Sequence, residues 1–103
     1  MNRIEILKQY IADDPTDAFS KYALALEFVK IENEIEAGLL FEELISKHND
    51  YLPTYYHYGK FLERAGNMEQ AALIYSTGIS LAQKTGDHHT RSELQTALDL
   101  ISD

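Results

Sequence analysis

Tyr55-Tyr56-His57-Tyr58-Gly59-Lys60-Phe61-Leu62 decides how this chain folds, because its pattern of aromatic, large, small and leucine positions recurs earlier in the sequence. Tyr55-x-x-Tyr58-Gly59-x-x-Leu62 matches Phe19-x-x-Tyr22-Ala23-x-x-Leu26 at an offset of 36 residues. Downstream, Asn67-x-x-Gln70-Ala71-x-x-x-Tyr75 matches Asn33-x-x-Glu36-Ala37-x-x-x-Phe41 at an offset of 34, with Gly78 and Leu44 next in register. The first half-pattern has the i, i+3, i+4, i+7 spacing of one face of an amphipathic helix and the second puts Ala71, Tyr75 and Gly78, like Ala37, Phe41 and Leu44, at i, i+4, i+7, so the repeating unit is a pair of helices. The difference between the offsets assigns a two-residue insertion to the first unit, around Val29 to Glu32.

Helix boundaries follow from short polar residues and glycines. Asn33 and Asn67 are each followed three residues later by Glu or Gln, a capping box in which the Asn side chain accepts from a first-turn amide. Gly66 supplies the stop before the second of these starts, since glycine tolerates the left-handed conformation there. The first unit has no such glycine, and Lys30 stands near the position that calls for it. Gly78 and Leu44 differ at the late small position. Gly59 and Ala23 are predicted to let one helix lie close against Ala71 and Ala37 on its partner.

These residues resemble the tetratricopeptide repeat family, most closely over residues 52–85 and less closely over 16–51. The resemblance implies an all-α fold, a right-handed superhelical stack of antiparallel helix pairs with about six helices, in one domain spanning residues 1–103. Residues 2–12, with Ile4, Leu7 and Ile11 on one face, then form an amino-terminal cap helix. Residues 16–51 are the first repeat with its two-residue insertion, and 52–85 the second. Residues 87–102 are a carboxy-terminal cap helix, stopped off from the second repeat by Gly86 and started by Asp87 or Thr90.

The resemblance also implies a function, the binding of a peptide or helix of a partner protein in a concave groove lined by the first helices of successive repeats. Carried over slot by slot, the groove positions are Ser20, Lys21, Leu24 and Glu27 on one helix and Tyr56, His57, Lys60 and Glu63 on the next, with Phe28 and Arg64 as further partner-binding candidates beside them. Leu24 and Phe28 lie off the Phe19, Tyr22, Ala23, Leu26 face. Two readings account for them: cover by residues 2–12 or the insertion, or exposure as an apolar recognition strip. Tyr51 and Tyr56 are further contact candidates, tyrosine being favoured at interfaces. The carboxylate clamp of the chaperone-binding members is incomplete, because Ser20 and Leu24 stand where that clamp has Lys and Asn.

Composition narrows the partners. The chain has 103 residues, no cysteine, and nine basic against seventeen acidic residues for a net charge of −8. That field repels nucleic acid and anionic lipid, and no stretch approaches the length of a membrane span, so the partner is a protein and the expected location is cytoplasmic. The excess is concentrated in residues 1–51, which hold eleven acids and five bases. The alternative to a peptide-binding groove is a self-associating homo-oligomer. His88-His89 is no metal site on a helix, where adjacent side chains diverge by roughly 100°. No phosphate loop, HExxH motif or paired nucleophile and base is present, so neither cofactor, metal nor enzymatic activity is expected.

Overall fold

Helix starts in this protein are fixed by side-chain oxygens. In the computed structural model, which describes residues 1–102, Asn2, Asp17, Asn33, Asn67 and Asp87 each accept a hydrogen bond from the backbone amide three residues on. They open α1 (Arg3–Asp13), α2 (Ala18–Lys30), α3 (Glu34–Lys47), α5 (Met68–Thr85) and α6 (His88–Ile101). The remaining helix, α4 (Pro53–Arg64), has no side-chain cap and begins instead with proline, whose fixed φ suits the first turn. Among the described residues the regular structure is these six helices, with no strand.

One tight turn is used three times. Glu32, Gly66 and Gly86 have φ of 60°, 81° and 75°. After each, the next backbone amide bonds back to the carbonyl five residues earlier: Asn33 to Phe28 at 2.9 Å, Asn67 to Leu62 at 2.8 Å, Asp87 to Ala82 at 2.9 Å. This is the Schellman arrangement, and the residue that completes it is also the cap of the following helix. Gly66 and Gly86 are the stops anticipated from the sequence; in the first repeat Glu32, two residues after Lys30, takes the left-handed role that glycine has in the others.

A second connection is used twice. Asp14 bonds to the Tyr10 carbonyl and Asp17 to that of Asp14, while His48 bonds to Leu44 and Tyr51 to His48, the same pattern 34 residues later. Helix α1 therefore enters α2 by the turn that closes α3, as the second helix of a preceding repeat would.

The repeat register is uniform. Helix α2 ends at Lys30 and α4 at Arg64, the left-handed residues are Glu32 and Gly66, and the caps are Asn33 and Asn67, every pair 34 residues apart. The two-residue insertion expected in the first repeat is therefore absent. Lys21, Leu24, Ala25 and Phe28, all buried, are the counterparts of buried Tyr55, Tyr58, Gly59 and Leu62. Phe19, which the 36-residue match put in the core, is 55% exposed.

The chain forms two compact units, Met1–Tyr51 and Leu52–Asp103. In the first, α1 and α3 pack on α2, burying Leu7, Leu24, Phe28, Phe41 and Leu44. In the second, α4, α5 and α6 pack mutually around Tyr55, Tyr58, Tyr75 and Leu94. A Cβ on Gly59 would lie 2.1 Å from Tyr75 Cε1, and one on Gly78 would lie 2.6 Å from Tyr55 Cβ. The close approach anticipated at Gly59 is thus made by the Tyr75 ring. The Tyr75 hydroxyl donates to Glu63; the counterparts in the first unit are Phe41 and Val29, an apolar pair in place of a hydrogen-bonded one.

Candidate protein-interaction site

Within the second unit, the exposed side of α4 faces α6 across a cleft of about 320 Å³. Tyr56 and Lys60 line it from α4, and Glu93, Thr96, Ala97 and Leu100 are among the residues that line it from α6. The spacing of Tyr56 and Lys60, one helical turn, puts both on the same face, and α4 and α6 pack against each other. Lys60 Nζ lies 5.5 Å from the centre of the Tyr56 ring and 3.6 Å from Glu63 Oε2, so its charge is held over an aromatic face beside a carboxylate. Leu100 is largely exposed and Ala97 buried, which gives the cleft an apolar side and a polar rim. His57 sits edge-on to Tyr56 at 5.4 Å between centroids, and burial holds its pKa below the ordinary value against an opposing pull from Glu93. Arg64 is exposed near the end of α4. Of the residues expected to bind a partner here, Tyr56 and Lys60 line the cleft directly.

The first unit corrects the other half of the expectation. Ser20 is buried at the start of α2, its hydroxyl donating to Asp17 Oδ2 at 2.6 Å and its amide to Oδ1 at 2.9 Å. Lys21 is 3% exposed; its ammonium donates to Glu43 at 2.7 Å and lies 3.0 Å from His48 Nε2. That hydrogen bond holds the Glu43 carboxyl below its usual range. Leu24 and Phe28 are core, with Lys8 of α1 placed 5.8 Å from the Phe28 ring centre. None of the four is a surface residue, and the cause is the register: a match at 36 residues turns core positions outward.

At the true offset the counterparts of Tyr56, His57, Lys60 and Arg64 are Tyr22, Ala23, Leu26 and Lys30. The Tyr22 ring lies between those of Phe19 and Tyr51, tilted to both, with centroids 6.5 Å and 5.6 Å away. Burial raises the hydroxyl pKa of both Tyr22 and Tyr51. This aromatic row was legible in one way only, by aligning the two caps Asn33 and Asn67 and extending that register backwards. His88 and His89 are exposed at the start of α6, with His89 Nε2 3.6 Å from Glu93 Oε1.

No helix among the described residues is long and apolar enough to cross a membrane. No family model and no curated protein matches the chain. Solved structures do. A tetratricopeptide repeat domain protein from Salinibacter ruber, in its solution NMR structure, is 43% identical over 86% of this chain and 90% of its own, with a TM-score of 0.82. A crystal structure of a tetratricopeptide repeat domain protein from the same organism gives 42% identity, 82% and 94% coverage, and a TM-score of 0.78. Two helix pairs in one register, joined by the same turn and similar at this identity over nearly the whole length, place the chain in the tetratricopeptide repeat family, whose fold is a protein-interaction scaffold.

Proposed function

We propose that this protein acts by binding rather than catalysis, and that the cleft between α4 and α6 receives an extended peptide or a helix of a partner protein. The observation that carries the reading is the convergence of Tyr56 and Lys60 from α4 with Ala97 and Leu100 from α6 on one cleft of about 320 Å³. That volume, an apolar side and a few polar groups at the rim suit the side chains of a bound segment. Tyr56 supplies contact area at low entropic cost, and Lys60, already drawn over the ring, supplies a donor to a partner carbonyl or carboxylate. On the first unit the corresponding helix face carries Tyr22 and Leu26 beside exposed Phe19, an aromatic surface of the same kind.

The test compares partner recovery by the wild-type chain with that by Tyr56→Ala/Lys60→Glu. Both side chains are outside the core, so unchanged helical circular dichroism is expected, and recovery falls by about tenfold or more if these residues are central contacts. Undiminished recovery removes the cleft as the contact surface.

A further inference from the structure

The outer face of α3 carries apolar residues that the fold does not use. Ile31 just before the helix is 58% exposed, Ile35 77% and Leu39 56%. Ile35 and Leu39 lie one helical turn apart on the same face of α3, a strip continued by Glu42 and Ser46, and Ile31 caps the end of α2 in the turn that leads into that helix. The second repeat acts as an internal control, because it builds the same turn and helix 34 residues later. There the counterparts of Ile31 and Ile35 are Ala65 and Glu69, while Leu39 corresponds to Leu73. Helix α5 forms with a glutamate where α3 has its most exposed isoleucine, so the scaffold does not require an apolar side chain there. Isoleucine is also the poorer helix former of the two. The two isoleucines are additions specific to the first unit.

Charge defines what covers them. Glu32, Glu34, Glu36 and Glu42 are all exposed around the strip. The first 51 residues hold eleven acids and five bases, and one of those bases, Lys21, is consumed internally by Glu43. We infer that the α3 face docks a basic amphipathic helix of a partner protein, its apolar side on Ile31, Ile35 and Leu39 and its lysines or arginines against the surrounding glutamates. A second copy of this chain fits poorly: pairing two such faces sets glutamates against glutamates, between molecules that each carry a net charge of −8. The inference is independent of the α4–α6 cleft, because it rests on a different helix in the other unit.

The experiment titrates the isotopically labelled full chain with a synthetic leucine–lysine amphipathic helical peptide and, separately, with its leucine–glutamate counterpart. Saturable amide shifts along residues 31–46 are expected with the lysine peptide only, and they weaken as salt rises. Ile31→Ala/Ile35→Glu installs the residues of the second repeat and is expected to weaken binding by about tenfold. A second variant, Glu34→Gln/Glu36→Gln/Glu42→Gln, keeps the apolar strip and should weaken it too, with the helical circular dichroism of both variants unchanged. The inference is overturned by an absent response, by equal response to the two peptides, or by shifts confined to Tyr56, Lys60 and α6. It is equally overturned if sedimentation shows a dimer that Ile31→Ala/Ile35→Glu dissolves, because a second copy is then the occupant.

Discussion

Glu32 holds a position that the rest of the protein gives to glycine. Its φ of 60° is the left-handed conformation that Gly66 and Gly86 adopt in the same turn, and a side chain there is strained against its own backbone. Glu32→Gly is expected to raise stability by about 1 kcal/mol, and Gly66→Ala to lower it by a similar amount. An added Cβ at Gly66 meets nothing within 4 Å, so any loss there is conformational. Urea midpoints of the two variants moving in the same direction would refute the assignment. Thr54 poses the opposite problem, a missing partner. Its hydroxyl is buried without a hydrogen bond, whereas Ser20 and Thr90 donate to Asp17 and Asp87, three residues earlier, at 2.6 Å and 2.8 Å. Three residues before Thr54 stands Tyr51, engaged with the Tyr22 ring. Thr54→Val keeps the shape and removes the unsatisfied group, with an expected gain of about 1 kcal/mol in the same assay.

Between helices, spacing is set by the smallest residue in contact. Gly59 lets the buried Tyr75 ring lie where a methyl group would otherwise sit, at 2.1 Å from its Cε1. Gly59→Ala is expected to cost about 3 kcal/mol, since neither helix can shift without disturbing Glu63, which the Tyr75 hydroxyl reaches. Thermal unfolding within a degree of wild type would show that the α4–α5 pair has slack. In the first unit the equivalent positions are Ala25 and Phe41, both buried. The tetratricopeptide pattern is therefore kept by size and not by identity, and Lys21 in the slot of Tyr55 is the extreme case. A buried ammonium replaces a ring there, held by Glu43 and His48 on one side of α2. That substitution hid the true register. A search for an aromatic passes over Lys21 and settles on Phe19, two residues early, which creates the apparent insertion and turns Leu24 and Phe28 toward solvent.

At the scale of the whole chain, one contribution to acid sensitivity comes from a group whose folded environment disfavours charge. Burial lowers the pKa of His57 from 6.5, so the folded protein binds fewer protons than the unfolded chain just below that value. The contribution of neutral His57 is complete above about pH 6.5 and is lost as pH falls through the lowered pKa. The stability of wild type relative to His57→Gln is expected to decline steadily on acidification from pH 7 toward 5, by thermal midpoint at fixed ionic strength. A difference that is flat or rises in acid would contradict it. The elements themselves were fixed by local chemistry. Asn33, Asn67 and Asp87 as caps, Gly66 and Gly86 as stops and Pro53 as an opener each act on neighbours within a few residues, so they are readable in order along the chain. Which face of each helix is buried is settled by contacts between helices distant in sequence. Only the packed structure shows that Lys21 finds Glu43 and His48, that Phe19 stays outside, and that α6 faces Tyr56 and Lys60. A local pattern can mark where a helix begins and ends, but its rotation about its own axis is decided by the partner it packs against.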